Sequence, residues 1–157
     1  IKPYASSKAF IARIIKDNIK SINLRLWGCF GPHEETHKFF TANILNYIGM
    51  KPLRIYEDKI MDFIHISDFY RILSWILNLK DPSCLDDINC VYSKKYKLSE
   101  LAKIINSLDS HKVEIIINKN TSTDDYFGIP PKNEFSLENI NQRIKEHYRH
   151  IKMTINL

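Results

Sequence analysis

Ile22-Asn23-Leu24-Arg25-Leu26-Trp27-Gly28-Cys29-Phe30-Gly31-Pro32-His33 is the stretch on which the fold turns. Its first five residues alternate apolar and polar side chains, the period of a half-buried strand. Gly28, Gly31 and Pro32 break that pattern, so 27–36 reads as a loop. Upstream, Phe10, Ile11, Ile14, Ile15 and Ile19 recur at helical spacing and predict an amphipathic helix over 5–19. Downstream, Phe39, Phe40, Ile44, Leu45 and Ile48 predict a second helix over 37–48, with Gly49 as its C-cap. Helix, strand, loop and helix in that order are the unit of an α/β protein.

The alternation continues to the C-terminus. Strands are expected at 53–56, 63–66, 88–92 and 113–117, the last rich in β-branched residues. A helix capped by Ser67 or Asp68 should run to Leu79, and another should cover 98–108. The polar tract 118–135, with Pro130-Pro131, reads as a loop. Ser136 should cap a last helix to about Lys152, built on Leu137, Ile140, Ile144, Tyr148 and Ile151.

The length of 157 residues suits one domain with a real core, or a large piece of a bigger protein. With 44% hydrophobic and 26% charged residues, the composition is that of a folded chain rather than a disordered one. No apolar run reaches the ~18 residues of a membrane span, so no membrane partner is expected. Cys29, Cys84 and Cys90 show no CxxC spacing, which indicates neither a disulfide framework nor a zinc site, and a cytoplasmic setting is the expectation. The net charge of +5 admits a polyanion. The basic residues are dispersed, however, which disfavours nucleic acid; a steep salt dependence of binding would be its mark.

The reactive candidates begin at Pro3-Tyr4-Ala5-Ser6-Ser7-Lys8. A helix starting here puts the Tyr4 phenol and the Lys8 ammonium on one face, about one turn apart. For the phenol to act as a base near pH 7, its pKa of about 10 must fall by roughly 3 units, or about 4 kcal/mol. A cation ~4 Å away at an effective dielectric near 20 supplies about that much, and the helix N-terminus adds to it. The plainer reading is a half-exposed aromatic beside a solvated lysine. Other candidates weigh differently. Asp68 reads as a helix cap, Asp62 as a turn residue, and Asp124-Asp125 as solvated surface. Trp27 and Trp75 read as packing, His65 as a packed, hydrogen-bonded residue, and Arg143, Lys145, Arg149 and Lys152 as a solvated helix face.

Taken together, Tyr4-Ala5-Ser6-Ser7-Lys8, Leu24-Arg25-Leu26-Trp27-Gly28-Cys29-Phe30-Gly31-Pro32-His33 and Met61-Asp62-Phe63-Ile64-His65-Ile66-Ser67-Asp68 resemble three ordered motifs of one family. This is the extended short-chain dehydrogenase/reductase family, the NAD-dependent epimerases and dehydratases of nucleotide sugars. Tyr96-Lys97-Leu98-Ser99-Glu100-Leu101-Ala102 is similar to a helix start in that family's C-terminal region. The resemblance implies the C-terminal part of a Rossmann-like parallel sheet plus a small α/β substrate-binding lobe. Residues 1–35 and 64–92 would end the dinucleotide-binding unit, and 36–63 with 93–157 would form the lobe. It implies NAD or NADP as cofactor and a nucleotide sugar as substrate, with a homodimer open to the intact enzyme.

By the same resemblance Tyr4 is the acid/base. Lys8 holds the nicotinamide ribose, and the backbone of Leu26, Trp27, Gly28 and Cys29 lies along the nicotinamide. His37, Tyr56 and Met61 fall near substrate positions, with His33 a further histidine in the same loop. Two departures stand out: the family's loop Asn is Gly28, and the Arg before Asp-Phe is Met61. The chain also holds no GxGxxG turn. It is therefore expected to be the C-terminal half of such an enzyme, and to bind NAD(H) weakly or not at all by itself. The alternative is a non-catalytic remnant or interaction module of the same fold.

Overall fold

A computed structural model describes residues 3–18, 21–81, 87–118, 124–130, 137 and 139–155. These residues form five helices and six short strands in the order α1 (Pro3–Asn18), β1 (Leu24–Arg25), β2 (Cys29–Phe30), α2 (Phe39–Ile48), β3 (Leu53–Ile55), β4 (Ile64–His65), α3 (Ile66–Leu77), β5 (Ile88–Asn89), α4 (Leu98–Ile105), β6 (Ile115–Ile117) and α5 (Ile140–Ile155). The strands pair in parallel as β1–β5, β2–β4 and β3–β6. Each parallel pair is bridged through helix, as a crossover requires. The expected α/β class with parallel pairing is therefore what the chain forms. Cys84, Pro131 and Ser136 lie outside the described residues.

The core is aromatic at its centre. Phe30 of β2 stacks on Phe40 of α2 with centroids 4.0 Å apart, and Phe63 meets Phe40 edge-on at 4.8 Å. Ile44 and Tyr47 of α2, Ile72 of α3, Leu101 and Ile105 of α4 and Ile144 of α5 close around them, all fully buried. These are the apolar positions of the helical spacing, which is why α2, α4 and α5 fold where that spacing puts them. Buried Asn43 stands in for a strand at the edge of β3: its Oδ1 accepts the Arg54 N–H at 2.8 Å. Helix α1 differs, because Phe10, Ile11 and Ile14 of its apolar stripe are exposed.

Three charged residues are not where the sequence reading puts them. The cap of α3 is the His65 ring, whose Nδ1 accepts the Ser67 N–H at 3.3 Å; neither Ser67 nor Asp68 fills that role. Asp68 lies inside the first turn, fully buried, and Arg143 of α5 grips it with two bonds of 2.9 and 2.7 Å. Arg143 is thus a core residue, also bonded to Glu146, and not part of a solvated face. Asp62 is buried too, accepting from Lys95 Nζ at 2.6 Å and from the Gly128 N–H at 2.8 Å. A carboxylate this deep needs such partners, because burying it unpaired is strongly unfavourable. Among the described residues no helix is long and apolar enough to cross a membrane.

Candidate active site

The spacing Tyr-x-x-x-Lys occurs three times in this chain, at Tyr4/Lys8, Tyr47/Lys51 and Tyr148/Lys152. Geometry separates them. Tyr47 is fully buried, its hydroxyl donating to the His111 carbonyl at 3.1 Å and accepting from the Asp109 N–H. Tyr148 is 7% exposed, and its hydroxyl donates to Asp109 Oδ2 while Lys152 bonds both. Burial first, then the Asp109 bond, raises the Tyr148 pKa, so that phenol stays protonated. Both tyrosines pin their helices to the 106–112 turn.

Tyr4 is 73% exposed, and the Lys8 ammonium sits 5.6 Å from its ring centroid. Both side chains share the first turns of α1, where Pro3 leads the helix and Ser7 Oγ donates to the Tyr4 carbonyl at 2.8 Å. A phenol that must meet a substrate has to be reachable. Of the three, only Tyr4 is.

The loop from Leu26 to Cys29 is fixed from below. The Ile64 N–H donates to the Gly28 carbonyl at 2.8 Å, and Cys29 and Phe30 continue as β2 beside β4. A Cβ on Gly28 would come within 2.5 Å of Cδ1 of buried Phe63. The site of an Asn side chain is therefore filled by an aromatic ring, and glycine is the residue that fits. Gly31 has φ of +137°, and a Cβ there would meet Ile66 Cγ2 at 2.7 Å and His65 Nε2 at 3.0 Å. Burial, then Glu34, raises the Cys29 pKa, and burial raises that of Cys90 to about 11, so neither is a ready thiolate.

Over this loop lies the segment 124–130. Asp125 is exposed as expected, and its Oδ1 also accepts the Ile60 N–H at 2.9 Å. Tyr126 bridges to Met61, Asn89 Nδ2 donates to the Ile129 carbonyl, and Gly128 packs flat on the Trp27 ring. Trp27 thus packs as expected, edge-on to Tyr126 at 6.3 Å. Met61 contributes backbone here, in a position that is only partly buried. His37 is exposed with Glu35 at 3.3 Å, His33 is exposed in the left-handed region at φ of 69°, and Tyr56 is exposed beyond β3. Among the described residues no three His, Cys, Asp or Glu side chains gather as a metal site.

The family model for the NAD dependent epimerase/dehydratase family matches residues 1–90, which include the Tyr4 pair, the Leu26–Cys29 loop and the Met61–Asp68 stretch. The chain belongs to that family. Among curated proteins nothing matches it. Solved structures do. The dTDP-glucose 4,6-dehydratase of Bacillus anthracis, in complex with NAD, has a TM-score of 0.75 at 18% identity, covering 99% of this chain and 54% of that one. The UDP-glucuronic acid 4-epimerase of Bacillus cereus, with UDP-glucuronic acid and NAD, has a TM-score of 0.71 at 17% identity over 93% of this chain and 50% of that one. The UDP-N-acetylglucosamine 4-epimerase of Methanobrevibacter ruminantium M1 has a TM-score of 0.75 at 15% identity, over 97% and 54% of the two chains. At these identities the likeness is one of fold, Rossmann-like α/β. The chain spans about half the length of the structures it matches.

Within this epimerase/dehydratase fold, the residues sequence reasoning missed are the buried polar ones. Glu34 Oε2 accepts both the N–H and the Oγ1–H of Thr41, at 2.9 and 2.6 Å, and Thr41 Oγ1 lies 2.9 Å from His147 Nε2. Tyr92 donates to Asp68 at 2.7 Å and accepts the His65 N–H. Burial on its own would raise the Asp68 pKa; the bonds from Arg143 and Tyr92 outweigh it and hold the carboxyl below its usual range. The signal that could have found Arg143 was its place on the apolar face, one residue before Ile144 and three after Ile140.

Proposed function

We propose that this chain carries the catalytic Tyr–Lys pair and the substrate lobe of an NAD(P)-dependent epimerase, dehydratase or reductase acting on a nucleotide-activated sugar. The observation that carries the proposal is Tyr4. It alone of three equally spaced pairs offers an exposed phenol with a lysine ammonium against its ring, inside the family-matched stretch. Supporting it, solved proteins of the same fold bind NAD and UDP-glucuronic acid. Residues 1–35 and 64–92 complete a dinucleotide-binding unit, and residues 36–63 and 93–157 form the lobe. No Gly-rich phosphate turn is among these 157 residues.

The donor set suits a nicotinamide riboside: an ammonium for the ribose hydroxyls, and a fixed backbone run Leu26–Cys29 with no side chain at Gly28. A nicotinamide held by Lys8 and the Leu26–Cys29 backbone would supply the hydride acceptor for oxidation of a sugar carbinol. Tyr4, as phenolate, accepts the proton of that hydroxyl and later returns it. Lys8 stabilises the phenolate by its charge and holds the ribose in place. A positioned acid/base of this kind is worth roughly a hundred- to ten-thousand-fold. By the family resemblance, His37 and Tyr56 would meet the sugar or its nucleotide. Met61, standing where the family has an arginine, cannot grip a diphosphate, which leaves an altered substrate, another residue for that task, or lost activity.

The NAD-loaded enzyme, with the dinucleotide-binding half present, is expected to convert at least one member of a panel of UDP- and dTDP-hexoses. Product is followed by proton NMR. A panel in which the sugars bind but none is converted would instead favour a non-catalytic remnant, the reading that Gly28 and Met61 motivate.

A further inference from the structure

Two buried imidazoles each leave one ring nitrogen without a hydrogen-bond partner among the described residues: Nε2 of His65 and Nδ1 of His147. The rings are 3% and 2% exposed, so bulk water does not reach them. Buried polar atoms in folded proteins are nearly always satisfied, and each exception calls for a cause.

Their tautomers follow from the bonds they do make. Thr41 Oγ1 gives its proton to the Glu34 carboxylate, so it can only accept from His147 Nε2. His147 therefore carries its proton on Nε2, and Nδ1 holds a lone pair. A second proton there would be a buried donor with no acceptor. His65 Nδ1 accepts the Ser67 N–H, so the proton of the neutral ring sits on Nε2. The orphans are complementary: one donor and one acceptor. Both rings stand edge-on to the same Phe30 ring, with centroids 5.0 and 6.0 Å from it. A Cβ at Gly31 would lie 3.0 Å from His65 Nε2, so the Gly31 backbone passes close over that atom.

We propose that one internal water joins the two rings, accepting from His65 Nε2–H and donating to His147 Nδ1. A buried water of this kind typically bridges two to four otherwise unsatisfied polar groups. It completes a chain running Glu34, Thr41, His147, water, His65 and the Ser67 N–H. That chain ties the 31–38 loop and α2, through α5, to the start of α3. Its role in positioning the Gly31 loop for a cofactor rests on the function proposed above; the water itself does not.

The test is made on the wild-type 157-residue chain, so its failure says nothing about catalysis. Long-range nitrogen–proton correlation at pH 7 should show both histidines protonated on Nε2 alone. Water-selective cross-relaxation should reach ring protons of both from one slowly exchanging water. Thr41→Val, which removes the acceptor for His147 Nε2–H, should shift the His147 tautomer and move the His65 ring signals with it. An Nδ1–H tautomer at His147, a water contact to one ring or neither, or His65 signals unmoved in folded Thr41→Val would each overturn the proposal.

Discussion

Gly28 and Phe63 show how one side chain sets what its neighbour can be. The Phe63 ring, stacked on Phe39 at 5.9 Å, occupies the space a residue-28 side chain needs. Gly28→Ala is expected to destabilise the fold by about 1–3 kcal/mol through overpacking, measured by urea denaturation. A variant as stable as the parent would show that Phe63 moves freely. The sequence alone marks Gly28 as a departure from the family pattern, but not the ring that causes it. Asp62, Asp68 and Arg143 were illegible for a related reason. An aspartate near a helix start is most simply a cap, and nothing local reveals that the partner of Asp68 is Arg143, 75 residues away.

At the scale of elements, the helices were legible because their apolar faces repeat at 3–4 spacing. Predicted limits of 37–48 and 98–108 became Phe39–Ile48 and Leu98–Ile105. The strands shrank to two or three residues each. Alternation over so short a run specifies a face but not its ends. The β4–α3 junction carries the pH dependence. Burial, and then the Arg143 guanidinium, push the His65 pKa down to about 4, against an ordinary value near 6.5. A base that stays neutral when folded binds fewer protons than the unfolded chain between those values, so stability falls as pH falls from 6.5 to 4. The loss from His65 is up to about 3 kcal/mol. Asp68, held low in the fold, adds loss further into acid, below its unfolded value. His65→Asn keeps an acceptor for the Ser67 N–H but does not titrate. Urea midpoints measured from pH 7 to pH 4 should decline less in that variant; equal slopes would remove His65 from the explanation.

Among the described residues the apolar faces are covered unevenly. Around α2, α4 and α5 the core is sealed. The β1–β5 pair stands with α1 beside it in sequence, and the α1 stripe of Phe10, Ile11 and Ile14 lies exposed. The family was legible from its ordered motifs, three of which fall within the matched residues 1–90. Motif order in the sequence singles out Tyr4 and Lys8; what spacing could not show is that Tyr47 and Tyr148 are buried. Calorimetric titration of the 157-residue chain with NAD is expected to give binding weaker than millimolar, since no Gly-rich turn is among its residues. Submillimolar affinity would mean that a different phosphate grip exists. The decisive measurement is hydride transfer in a single turnover of the NAD-loaded enzyme, with NADH absorbance followed after a nucleotide sugar is added. Tyr4→Phe should lower the rate by about 10²–10⁴-fold with the fold intact. Tyr148→Phe should lose stability and keep the chemistry. A Tyr4→Phe enzyme that transfers hydride at the parent rate would contradict the assignment of Tyr4 as the base.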